Sequence, residues 1–253
     1  MHAMKRIFLS AAQRRWLRTG WGVFMFHKVA LPPPGTRDPF DYTSPATLER
    51  KLGALYAAGF RPSNLDELRS EMDRPAGRFV VTFDDGYASV AERALPALQR
   101  HNVRAIVFLV AGKLGGRNDW DIAKGDVAES LMDAAQIKTW LAAGHQIGSH
   151  SLTHPNLRKI SSAAAREEIA ASRKLLEDVF GVAVEHFCYP YGAGNEEIRD
   201  LVGEAGYQTA CTVKFGLNVA GASPFELKRI QPLTGGELIR KVFHRLRRKI
   251  LRS

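Results

Sequence analysis

Cysteine is nearly absent from these 253 residues. The two that occur, Cys188 and Cys211, lack the spacing of a metal clip, and a chain this long needs no cross-links to fold, which excludes a disulfide scaffold. The pair fits a reducing compartment. Long apolar runs are missing too: nothing approaches the roughly 20 apolar residues of a membrane-spanning helix. The run from Ile7 to Ala12 is cut by Gln13, Arg14 and Arg15 before a signal-peptide core can form, so export by that route is not expected. No repeat with a period of about 20–50 residues occurs, which excludes a solenoid. What remains, 45% hydrophobic and 25% charged, is ordinary for a chain that buries a sizeable core, and one α/β domain accommodates this length.

Acidic residues are also in short supply, and their placement matters more than their number. The net charge is +10. Residues 1 to 18 carry Lys5, Arg6, Arg14, Arg15 and Arg18 without an acid (+5), and from Lys228 onward nine basic residues face only Glu237 (+8), which leaves the body between them at −3. A slightly acidic body argues against a nucleic-acid cleft, so no nucleic acid partner is expected. On a helical wheel Leu238, Ile239, Val242, Phe243, Leu246 and Ile250 share one arc, with Arg240, Lys241, Arg245, Arg247, Arg248 and Lys249 filling the rest. That pattern predicts a basic amphipathic helix over 234–253, either lying on an anionic membrane surface or packed on the domain with a solvated basic face. Residues 1–20 form a weaker version with Phe8, Leu9, Ala12 and Trp16. The expected location is cytoplasmic, peripheral at the inner face of the membrane.

Between these ends, over 21–233, short apolar runs alternate with helical patterns. Strands are predicted at Gly22 to Phe26, Phe79 to Phe83, Ala105 to Val110, Gln146 to Ser149, Val184 to Cys188 and Gln208 to Thr212. Helices are predicted near Pro45 to Ala58, Ser89 to Arg100, Val127 to Ala143, Ser161 to Phe180 and Glu196 to Ala205. This alternation specifies a largely parallel sheet, in a barrel or a doubly wound layer. His27, Asp84 with Asp85, His150 with His154, and Pro190 with Tyr191 each follow the C-terminal end of a predicted strand, the edge where parallel α/β folds build their sites.

Two of these groups carry chemistry. Asp84-Asp85-Gly86 places adjacent carboxylates at the end of an apolar strand, a costly arrangement unless a cation or a functional need compensates it. A solvated turn is the plain alternative, and the Asp-x-Asp-x-Thr spacing of a phosphatase-type site is absent. His150 and His154 can face the same way in a helical turn, which Pro155 would limit to one, and neutral imidazole suits Zn, Ni, Co or Fe. The histidine pair supplies ligands that one carboxylate lacks.

The Thr-Phe-Asp84-Asp85-Gly86 run, the His150-Ser-x-x-His154 run and the Tyr-Pro190-Tyr191-Gly192 run, in this order, resemble the first three motifs of the polysaccharide deacetylases that share the NodB homology domain, carbohydrate esterase family 4. The resemblance covers about Gly22 to Pro232. It implies a distorted (β/α)7 barrel, with Asp84 as general base, Asp85, His150 and His154 as ligands of one divalent cation, zinc first, and the Tyr191 backbone N–H as oxyanion donor. The implied substrate is an N-acetylhexosamine in a polysaccharide or lipid-linked glycan. A catalytically inactive carbohydrate-binding relative is the alternative.

Two departures from the family pattern stand out. The Leu-x-His motif that many relatives carry near the domain's end is replaced by Phe225-Glu-Leu-Lys-Arg-Ile230, which holds no histidine. His27, in a Phe24-Met-Phe-His27-Lys-Val29 segment similar to that of the poly-N-acetylglucosamine deacetylase subgroup, is the expected acid. Cys188 occupies the slot where many relatives place an Arg that orients the base, which leaves the tuning of Asp84 open. His145 and His186 are expected to be structural. Asp119 and Trp120, in the Gly-rich stretch from Ala111 to Gly125, could form a sugar-binding lip or a surface loop.

Overall fold

The computed structural model describes residues 9–74 and 77–232. Eight parallel strands form one sheet: β1 (Gly22–Phe26), β2 (Arg61–Pro62), β3 (Arg78–Phe83), β4 (Ile106–Leu109), β5 (Gln146–Ser149), β6 (His186–Cys188), β7 (Thr209–Phe215) and β8 (Leu227–Arg229). Seven of them run in the order β1-β3-β4-β5-β6-β7-β8, with β2 beside β3. The ring closes just past β8, where the Ile230 N–H donates to Val23 O at 2.7 Å and Met25 N–H donates to Ile230 O at 2.9 Å. The result is the distorted seven-stranded barrel that the motifs implied. Strands β3 and β4 are buried almost throughout, because a parallel sheet is covered by side chains within and helices without.

Most elements start and stop where local chemistry demands. The helix Pro45–Ala57 is capped by the Ser44 side chain and has Pro at its first turn, and the helix Ser162–Phe180 begins under Ser161 and ends at Gly181 in a left-handed conformation. Two expectations are corrected. The helix predicted over Ser89 to Arg100 is two helices, Ala88–Arg93 and Leu95–Arg100: Pro96 has no N–H to give, and its ring collides with the carbonyl four residues back. The helix predicted from Val127 begins only at Ala134, under a capping box made by Asp133 and Gln136. The freed stretch is extended and braces the turn after β3, with Met132 N–H on Gly86 O at 2.7 Å and Ala88 N–H on Ser130 O at 2.9 Å. The helix expected over 234–253 lies outside the described residues. At the other end, Leu17 of the helix Ala11–Leu17 is buried against the barrel while Arg14 and Arg15 face solvent. No helix among the described residues is long and apolar enough to cross a membrane.

His145 and His186 serve the barrel itself. The His186 ring bridges Thr209 Oγ1 at 2.9 Å and Asp66 at 3.1 Å, and the hydrogen bond from His186, acting against burial, holds the Asp66 carboxyl at about 2. His145 is buried against Trp140, accepts the Ala105 N–H at Nδ1 and is pushed from its ordinary 6.5 to about 4, first by burial and then by Arg104. The folded state therefore resists a proton that the unfolded chain accepts. Stability is complete above pH 6.5 and should fall by roughly 2 kcal/mol as the pH drops toward the folded value. The urea midpoint at pH 7 and pH 4.5 measures this, and His145→Gln, which keeps an acceptor and cannot titrate, should flatten the dependence.

Candidate metal centre

The site grows from the C-terminal ends of β1, β3, β5, β6 and β8. Asp84 continues β3, with its N–H on Phe26 O at 2.9 Å. Asp85 and Gly86 then adopt left-handed conformations (φ 71° and 74°), which send neighbouring carboxylates in different directions. A side chain on Gly86 would have its Cβ 2.8 Å from Leu109 Cδ2 on a left-handed backbone, so glycine is favoured there. His150 extends β5 with its N–H on Leu109 O at 2.8 Å.

The two histidines are not carried on a helical turn. Ser151 and His154 are both left-handed (φ 67°), and the loop between them is tied by the His154 N–H to Ser151 Oγ and by the Leu152 and Thr153 N–H groups to the Glu168 carboxylate at 2.9 and 2.8 Å. Asp85, Ser151, His154 and Tyr191 (φ 59°) make up four of the five non-glycine residues with positive φ among the described residues. Such backbone costs on the order of 1–3 kcal/mol per residue and persists where surrounding structure imposes it.

This loop geometry brings three buried side chains to one point. His150 Nε2 and His154 Nε2 each lie 3.3 Å from Asp85 Oδ1. Ligands of a tetrahedral ion with bonds of about 2.0–2.2 Å stand about 3.3 Å apart, and two imidazoles with one carboxylate are a usual zinc set, so the residues fit a divalent cation. Each imidazole is aimed from behind: Nδ1 of His150 donates to Cys188 O at 2.6 Å, and Nδ1 of His154 lies 3.2 Å from the Tyr191 hydroxyl. Burial would raise the Asp85 carboxyl, yet hydrogen bonds from both imidazoles hold it well below the usual range. Asp84, His150 and Cys188 also offer ligand atoms close together. That set is the poorer one, because burial pushes the Cys188 thiol up to about 11 and both Asp84 oxygens are engaged elsewhere.

What engages them is Arg229, a residue that sequence reasoning passed over. Its guanidinium is fully buried and donates to Asp84 Oδ1 at 2.6 Å and Oδ2 at 2.7 Å, with further bonds to Thr212 O at 2.7 Å and Thr82 Oγ1 at 3.1 Å. Against the upward push of burial, it holds the Asp84 carboxyl below its ordinary value. The tuning left open by Cys188 is thus supplied from β8, inside the very stretch that had been noted for lacking a histidine. Cys188 leaves room for it, with Sγ 3.2 Å from Arg229 and 3.7 Å from Asp84 Oδ2. The available signal was the alternation of Leu227, Lys228 and Arg229, which puts the arginine on the inward face with Leu227.

His27 stands at the end of β1 with Nε2 3.8 Å from Asp84 Oδ2, and its side chain is 19% exposed. Trp120 stacks on the His154 ring, with centroids 4.3 Å apart, so it covers one member of the trio. Its neighbour Asp121 accepts the Tyr87 hydroxyl at 3.1 Å, and Lys124 donates to the Tyr191 hydroxyl at 2.9 Å. Asp119 is turned away to Lys113 at 2.7 Å.

The sequence profile described as polysaccharide deacetylase matches residues 71–210, and this chain belongs to that family. The peptidoglycan-N-acetylglucosamine deacetylase PgdA of Listeria monocytogenes is 32% identical over 127 residues, 50% of this chain and 24% of PgdA. The chitooligosaccharide deacetylase of Azorhizobium caulinodans is 32% identical over 128 residues, 50% of this chain and 53% of its own length. The chain thus spans about half or less of these curated relatives. Among solved structures, IcaB from Ammonifex degensii superposes with a TM-score of 0.74 at 22% identity, covering 89% of this chain and 97% of the other, which establishes the shared barrel.

Proposed function

We propose that this protein is a metal-dependent hydrolase that removes N-acetyl groups from N-acetylhexosamine units of a glycan and releases acetate. The observation that carries this reading is the convergence of Asp85, His150 and His154 at 3.3 Å beside a second, separately held carboxylate, Asp84. A structural metal site would need only the trio. The relatives named above act, by their names, on peptidoglycan N-acetylglucosamine and chitooligosaccharides, which supports an acetamido sugar as the substrate class.

In this reading Asp85, His150 and His154 hold the cation, with zinc the best match to the donor set and nickel, cobalt or iron compatible. When bound, it supplies Lewis acidity that polarises the acetamide carbonyl and makes water more acidic. Asp84, fixed by Arg229 as a carboxylate, takes the proton from the attacking water. The Tyr191 N–H, presented by its left-handed backbone, donates to the oxyanion, a contribution worth about 100- to 1,000-fold. His27 gives a proton to the departing amine. An inactive sugar-binding relative would have no use for the Asp84–Arg229 pair.

The direct test is metal content and acetate release from a panel of N-acetylated oligosaccharides. The parent protein should carry close to one equivalent of divalent metal and release acetate, and Asp85→Ala should lose both. A parent that binds the sugars but releases no acetate with metal present would favour the inactive relative.

A further inference from the structure

The helix Ala11–Leu17 and the segment 213–219 leave an apolar patch on the surface. Phe215 is 72% exposed, Val213 50% and Val219 44%, and Trp16, itself partly exposed, stacks on Phe215 with centroids 5.5 Å apart and planes 12° from parallel. Val213 and Phe215 lie two residues apart in β7 and so share a face. Exposed rings that stack on each other without reaching the core are costly to leave in water, and a patch of this kind marks an interaction site. The same helix also exposes Arg14 and Arg15. Lys214, which points the other way, is paired with Glu226 at 2.9 Å.

We propose that this patch is a docking surface for an anionic lipid bilayer. The chemistry selects that occupant over others. A glycan would need hydrogen-bonding side chains, and the 213–219 segment offers Val213, Phe215 and Val219 toward solvent, with its lysine already engaged. An apolar patch built partly on a helix that also carries two exposed arginines matches a bilayer surface, where apolar groups enter the acyl boundary and cations meet acidic headgroups, each cation strengthening binding about fivefold. The charge along the sequence has the same sign at both ends: +5 over residues 1 to 18 and +8 from Lys228 onward.

The patch also lies beside the metal centre. Gly192 adjoins Val213 so closely that a Cβ there would fall 2.3 Å from Val213 Cγ2, and the next residue back is Tyr191, whose hydroxyl touches His154. Docking through Phe215 thus brings the rim of the site to the membrane surface. On the deacetylase reading, the substrate reached there is an N-acetylated sugar carried on lipid.

The test uses the full chain and sedimentation with vesicles of phosphatidylcholine, with or without phosphatidylglycerol. The parent should partition onto the phosphatidylglycerol vesicles and remain free of the neutral ones. Phe215→Ser with Val219→Ser should weaken partition at least about tenfold. Arg14→Glu with Arg15→Glu should abolish the preference for phosphatidylglycerol. Both double variants should release acetate from a soluble oligosaccharide at the parental rate, which certifies the fold. A parent that stays in the supernatant, or that binds neutral and acidic vesicles equally, overturns the proposal. Parental partition by the serine variant overturns it as well, since the terminal segments alone would then hold the membrane. Vesicle binding without acetate release would refute the deacetylase reading and leave the docking surface standing.

Discussion

Asp84→Asn should retain its metal and lose about 100- to 10,000-fold in turnover, the range spanned by a positioned acid or base. The substitution keeps the shape and leaves Asp85, His150 and His154 untouched, so metal content is the internal control. It cannot be silent structurally: the amide replaces one acceptor of the buried Arg229 guanidinium with a donor, and the melting temperature should fall. His27→Ala makes the useful comparison, because it also leaves the proposed metal ligands intact and does not remove either partner of the Asp84–Arg229 pair. Its loss should appear on the amide substrate and nearly vanish on p-nitrophenyl acetate, whose leaving group departs without a proton. Asp84→Asn should be impaired on both. Parental turnover in Asp84→Asn would remove the base assignment, and equal losses of His27→Ala on amide and activated ester would remove the acid assignment.

Arg229→Ala should be the most damaging substitution that touches none of the proposed ligands. Removing one partner of a buried ion pair costs about 3–5 kcal/mol because the other charge is left unpaired. Here burial raises the Asp84 carboxyl, and the guanidinium is what reverses that push. Without it Asp84 is driven toward its protonated form, which cannot accept a proton from water. Turnover should drop by at least about 100-fold, more than the loss of stability explains at a temperature where the variant is fully folded. Adding Cys188→Arg in the same chain offers a rescue. Cys188 Sγ is already 3.7 Å from Asp84 Oδ2, and the space vacated by Arg229 adjoins it at 3.2 Å. The double variant should recover at least about tenfold over Arg229→Ala alone. No recovery, with the protein folded and metal bound, would show that Arg229 matters for the barrel and not for the base.

The difference between Arg229 and the trio illustrates what the sequence discloses. Asp85, His150 and His154 were legible because each follows a strand whose apolar run marks its own end, and because strand ends in a parallel barrel converge. Strands β1 and β5 were placed to the residue for the same reason. Arg229 sits on a three-residue strand whose alternation turns it inward without disclosing what it meets, and its partner is 145 residues away in sequence. Pro96 announced a helix break that the apolar periodicity around it outweighed. The extended stretch before Ala134 was unreadable locally: its backbone is held by Gly86, Ala88 and Gly116 and its Glu129 side chain by Tyr42, all outside the stretch itself. Trp120 was visible as an aromatic in a loop, but its partner His154 was not.

The seam at Ile230 has a consequence for how the protein comes into being. Synthesis delivers the barrel from β1 onward, yet the strand that meets β1 is the last of the ring, and the guanidinium that charges Asp84 is one residue before the seam. A chain still on the ribosome and lacking Leu227 to Ile230 has an open sheet edge and a disarmed carboxylate together. If Asp84 is the base proposed above, chemical competence is withheld until translation has passed the end of the barrel, and a premature stop just upstream should yield an inert product rather than a partly active one.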